Sequence, residues 1–104
     1  MRKIHIAIGV CDIEGSVQDY SVRLGCLPQL VVSNEYALWR TDAINFSIRR
    51  VPVQAAGMLR HLGWEDASCR VSAAEKDVNG ILWEIFSPEH QAKEIEEIWP
   101  SVKS

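Results

Sequence analysis

Asp77-Val78-Asn79-Gly80-Ile81-Leu82-Trp83-Glu84-Ile85-Phe86-Ser87-Pro88 is the stretch that decides how this chain reads. Asp-Val-Asn-Gly is a tight-turn sequence, because Asn and Gly tolerate the positive φ of a hairpin loop. Residues 81–86 follow as a strand rich in β-branched and aromatic side chains. Leu82, Glu84 and Phe86 share one side of it, and Trp83 lies on the other. Glu84 is the only charge in the strand, and a carboxylate among apolar neighbours is costly unless something pairs with it. Two sets of partners are available. His5 and His61 could hold a divalent metal with it, or Arg49 or Arg60 could form an ion pair across the sheet.

Beyond this strand, Ser87 suits a helix N-cap and Pro88 the first helical turn. Ala92, Ile95, Ile98 and Trp99 then make an apolar stripe on a helix over 88–99, ended by Pro100. Before it, residues 59–65 read as a strand with Leu59, His61 and Gly63 on one face, and residues 68–73 as a short strand. Residues 51–58, with a proline, a glycine and small side chains, read as a linker.

The first half repeats the theme. Ile4, Ile6, Ile8 and Val10 alternate with His5, Ala7 and Gly9, so one face is greasy and the other carries an imidazole between small residues. Asp12 suits an N-cap, Val17, Tyr20 and Leu24 recur at helical spacing, and Gly25 is a natural stop. That helix is expected on the isoleucine face. Strands over 29–33, 35–41 and 43–49 complete a β-α-β-β-β order. In the last of them Asn45, Ser47 and Arg49 share a polar face and Ile44, Phe46 and Ile48 an apolar one.

Composition excludes several classes. The chain has 104 residues, enough for one domain, and a net charge of −3 with scattered basic residues. No nucleic-acid stripe, membrane-surface helix or spanning segment is expected. The N-terminal apolar run is broken by His5 and lacks a cleavage pattern, so it is not read as a signal. Three cysteines, Cys11, Cys26 and Cys69, read as reduced thiols of a cytoplasmic protein, with Cys11 and Cys26 as small core fillers.

The run His5-x6-Asp12-Ile-Glu-x-Ser16-Val-x-x-Tyr20-x3-Leu24-Gly25 resembles the opening of the vicinal oxygen chelate superfamily, and Asp77-x-x-Gly80-x-Leu82-Trp83-Glu84-Ile85-Phe86 resembles its closing strand. That group includes glyoxalase I, bleomycin-resistance proteins, methylmalonyl-CoA epimerase and extradiol dioxygenases. The resemblance implies an α+β fold of βαβββ modules forming an open, cup-shaped mixed sheet. Here it covers a first module over 4–50 and a shortened second over 59–86, missing a helix and a strand. The C-terminal helix over 88–99, or a second chain in a homodimer, is then expected to cover the bare sheet. The resemblance further implies His5, His61 and Glu84 as ligands of a divalent transition metal such as Zn, Ni, Mn or Fe(II), with Glu84 also catalytic.

Asn45, Ser47 and Arg49 are the expected substrate contacts on the cup face. The fourth ligand of glyoxalase I, a carboxylate, is matched here by Asn45, which cannot act as a general base. Three functions follow. The first is a metal-dependent lyase, isomerase or dioxygenase acting on a small molecule with vicinal oxygens. The second is a non-enzymatic binder resembling the bleomycin-resistance branch. The third is a degenerate module whose dimer surface is its function.

Overall fold

The computed structural model describes residues 2–102. The chain runs β1 (Arg2–Val10), α1 (Ile13–Leu24), β2 (Leu30–Val32), β3 (Tyr36–Arg40), β4 (Ile44–Arg50), β5 (Leu59–Asp66), β6 (Ala73–Lys76), β7 (Leu82–Phe86) and α2 (Pro88–Ile98). The strands form one mixed, open sheet in the order β2-β3-β4-β1-β5-β7-β6. Its α+β class, the first β-α-β-β-β unit and the C-terminal helix are as the sequence predicts.

The pairing repeats within the sheet. β1 runs parallel to β4, and β5 runs parallel to β7. β3 then pairs antiparallel with β4, as β6 does with β7. The second unit therefore keeps three of the first unit's four strand positions. β1 and β5 meet antiparallel at the middle and join the halves.

Local chemistry sets the first unit. Asp12 caps α1, its Oδ1 accepting the Gly15 N–H at 3.0 Å, and Gly25 ends the helix at φ 76°. The Ile6 and Ile8 face of β1 meets α1 as expected. Val10, Ile13, Ala37, Trp39, Phe46 and Ile48 form the buried core there, with Val17, Tyr20 and Leu24 packed against it. Trp39 is thus a core residue, and its Nε1–H donates to the Cys26 carbonyl at 3.1 Å.

Three expectations are corrected. The strand expected over 68–73 forms at Ala73–Lys76 instead. Asp66 Oδ1 accepts both the backbone N–H and the hydroxyl of Ser68, which turns the chain and delays pairing. The hairpin then closes tightly, with Asp77 Oδ1 accepting from the N–H groups of Asn79 and Ile81. Cys11 and Cys26 are exposed rather than core fillers, because they fall in the connections that flank α1.

The third correction concerns α2, which does not cover the bare outer face of the second unit. It lies inside the cup, on the face that carries His5. Tyr36 and Leu38 on β3 share a buried cluster with Ile95, with Leu30, Val32 and Trp99 packed around it. This apolar strip on the first unit's inner face matches the helix stripe, so the helix fills part of the cup. Ser87 and His90 make a capping box at its start, with the Ser87 N–H donating to His90 Nδ1 at 3.0 Å.

Candidate metal centre

A row of cross-strand neighbours builds the site. Arg40 on β3 stands beside Asn45 on β4, then His5 on β1, Gly63 on β5 and Glu84 on β7. His61 stands two residues from Gly63 on the same face of β5, opposite Ala7. Gly63 is what lets the row close: a Cβ there would strike the Glu84 backbone carbonyl.

His5, His61 and Glu84 come together as expected. His5 Nε2 lies 3.0 Å from His61 Nε2, which lies 3.1 Å from Glu84 Oε1. All three ligand atoms fall within 4.8 Å of one another. Phe86 packs edge-on against the His5 ring at 4.9 Å.

Two of the three groups, His5 and Glu84, are held in the form that ligation needs, whereas His61 Nε2 carries the proton that it shares with them and would release it to a metal. Burial is the main reason that His5 is held below its ordinary pKa, against the opposing hydrogen bond to Asn45. The hydrogen bond from His61 leads in holding Glu84 below the ordinary carboxylate range, against its own burial. A neutral imidazole and an ionised carboxylate are the forms a metal needs.

The tautomer of His5 follows from a longer chain of contacts. Arg40 grips Glu65 with two charge-assisted bonds, Nε to Oε1 at 2.7 Å and a terminal nitrogen to Oε2 at 2.8 Å. Glu65 is therefore ionised, its pKa lowered chiefly by Arg40, and can only accept. Asn45 Nδ2 donates to Glu65 Oε1 at 2.8 Å, which fixes the amide orientation. Asn45 Oδ1 must then accept, and His5 Nδ1 lies 2.8 Å from it. His5 carries its proton on Nδ1 and turns the Nε2 lone pair toward His61 and Glu84. Metal-binding histidines are commonly oriented in this way.

The other expected residues divide. Asn45 is fully buried, and Gln91 of α2 takes its remaining capacity through reciprocal amide bonds at 2.8 and 3.2 Å. It holds His5 and does not line the pocket. Ser47 and Arg49 do line the pocket, with Tyr36, Arg60, Phe86 and Trp99. His90 serves the cap of α2. The sequence reading missed Glu65 and Gln91. Strand parity carries the signal for Glu65, which shares the face of His61 and Gly63.

The pocket encloses about 180 Å³. A larger hollow of about 610 Å³ lies on the outer face of the second unit, lined by Trp64, Trp83 and Ile85 among others. The only metal-compatible cluster found among the described residues is in the smaller one.

No family model and no curated protein matches the chain. Among solved structures, the chain is similar to one described as NAD-dependent benzaldehyde dehydrogenase from Legionella pneumophila. The two share 11% identity at a TM-score of 0.55, over 81% of this chain and 97% of that one. At that identity the likeness speaks for the fold alone.

Proposed function

We propose that this protein is a small divalent-metal-dependent enzyme of the vicinal oxygen chelate type, acting on a small molecule with two neighbouring oxygens. The observation that carries the reading is the convergence of His5 Nε2, His61 Nε2 and Glu84 Oε1 in one pocket, with His5 set in its ligating tautomer. Two imidazoles and a carboxylate fit a transition metal with open coordination positions. Bound there, such an ion would polarise substrate oxygens and stabilise developing negative charge. Zn, Ni, Mn and Fe(II) all match the donor set.

The protein's own groups would do the rest. Glu84, kept ionised beside His61, is both ligand and proton acceptor. Burial pushes the Tyr36 phenol up to about 12, so it stays protonated and acts as a hydrogen-bond donor. The α2 helix and Phe86 keep bulk water from His5, which is 3% exposed.

The size of the pocket favours an enzyme on small substrates over a sequestering binder. At about 180 Å³ it lies below the usual range of pockets for drug-sized ligands, which suits a small substrate better than a large antibiotic. The expected homodimer draws support from the outer face of β5 and β7, where Leu62, Trp64, Trp83 and Ile85 carry no helix. No helix among the described residues is long and apolar enough to cross a membrane. Three free thiols favour a cytoplasmic location.

Elemental analysis of untagged protein beside a His61→Ala variant tests the reading. About one equivalent of metal per chain, lost in the variant, is the expected result. No metal in either after reconstitution would overturn it and leave Glu84 as a structural partner of His61.

A further inference from the structure

The strand pairing around β5 contains an irregularity. β1 pairs Ala7 with His61 and Ile8 with Leu59, so Arg60 has no partner. In a regular strand, Arg60 and His61 would point to opposite faces. Here the bulge lets both line the same pocket. Bulges beside functional sites commonly re-aim a side chain in this way.

Arg49 reaches the same pocket from β4, its guanidinium held 5.3 Å from the centre of the Trp99 ring. The two arginines differ from others in the chain. Arg2, Arg23, Arg40 and Arg50 each hold a carboxylate. Among the described residues, Arg49 and Arg60 form no ion pair. Glu84 and Glu94 line the pocket and attract Arg60 only from a distance. With a divalent ion in place, two guanidiniums against two carboxylates would leave the pocket two charges positive. A planar guanidinium fork is suited to a carboxylate or a phosphate.

We propose that Arg49 and the bulged Arg60 form an anion subsite, so that the substrate is a small acid bearing a carboxylate or phosphate next to its vicinal oxygens. The inference rests on the metal-enzyme reading for the vicinal oxygens and on the arginines alone for the acid. The small volume of the pocket, about 180 Å³, favours a small acid.

Calorimetric titration separates the two. Glycerate, glycerol 3-phosphate and glycerol share a vicinal diol and differ in the acid. Each is titrated into zinc-loaded and metal-free protein, as wild type, Arg60→Gln and Arg49→Gln. One or both acids are expected to bind at least about tenfold more tightly than glycerol, as one charge-assisted contact implies. Their order identifies carboxylate or phosphate as the preferred anion.

Arg60→Gln should weaken acid binding about tenfold and leave glycerol binding and zinc content unchanged. Arg60 is exposed at the rim, so its loss should not endanger the fold. Equal binding of acids and glycerol, or acids unaffected by both substitutions, would overturn the anion subsite even if zinc is retained. Arginine-dependent acid binding with no zinc uptake would overturn the metal reading and keep the subsite. Loss of both would overturn both.

Discussion

His5 Nδ1 lies 2.8 Å from Asn45 Oδ1, and this contact sets which His5 nitrogen faces the pocket. Asn45 in turn is locked by Glu65 and Gln91. Its role is orientation, which makes it separable from ligation by experiment.

Asn45→Ala should lower metal affinity by about 10–100-fold, the usual effect of losing a histidine's outer partner. It should also cost about 1–3 kcal/mol of stability, because Glu65 and Gln91 lose a buried partner. Asn45→Asp keeps an acceptor for His5 but sets a second carboxylate against Glu65. It should retain more metal affinity than Asn45→Ala while folding less stably. Chelator competition and urea titration read the two effects separately. Equal metal affinity in all three proteins would remove the orienting role.

Much of this site was legible because strand parity set the faces and the resemblance of two motifs singled out the three residues. His5, His61 and Glu84 each stand on a face shared with small or apolar residues, and the parity of each strand turned all three inward. The position of α2 was not legible. Its stripe of Ile95 and Trp99 suits any apolar sheet face, and only the tertiary match to Tyr36 and Leu38 selects the inner one. The bulge at Arg60 was hidden for a related reason, since register depends on the partner strand β1. Glu65 was missed because its partner Arg40 lies on β3, with β4, β1 and the domain's midpoint between them.

Arg40→Leu should be among the most destabilising single changes, at about 3–5 kcal/mol, because it strands a buried carboxylate. Lys3, at 3.9 Å, offers only partial relief. The sign with pH follows from Glu65. Its folded pKa lies below the ordinary 4.5, so the stabilisation is full above that value and fades as pH falls through the lowered one. Urea titrations of wild type and Arg40→Leu should therefore differ most near neutral pH and converge in acid. A gap that is constant with pH would dismiss the ion pair as its source.

Gly63→Ala tests the closing of the row. The added methyl meets the Glu84 carbonyl, so β5 and β7 must separate locally. Overpacking of this kind costs about 1–3 kcal/mol. Glu84 should also move away from His61, which lowers metal uptake. Ala7 and Gly9 lie on the same face of β1, but a Cβ at Gly9 meets Val51 side-chain atoms, and neither Gly9 nor Val51 lines the pocket of His5, His61 and Glu84. Gly9→Ala should therefore cost stability without changing metal content, and elemental analysis of both variants distinguishes them.

Trp99 ties α2 to the pocket through two contacts, one with a ring and one with a guanidinium. It lies 4.9 Å from the Tyr36 ring centre and 5.3 Å from the Arg49 guanidinium carbon. Trp99→Ala should cost about 2 kcal/mol, less than a fully buried tryptophan because its side chain is only partly buried. Part of that loss belongs to Arg49. A double-mutant cycle of Trp99→Ala with Arg49→Gln should return a coupling of about 0.5–1 kcal/mol, the strength of an exposed cation–π pair. The same cycle followed by glycerate binding should show that Trp99→Ala weakens the acid only while Arg49 is present, because the ring's part is to hold that guanidinium in place. Strict additivity in both readouts would mean that Trp99 anchors the helix and leaves Arg49 to position itself.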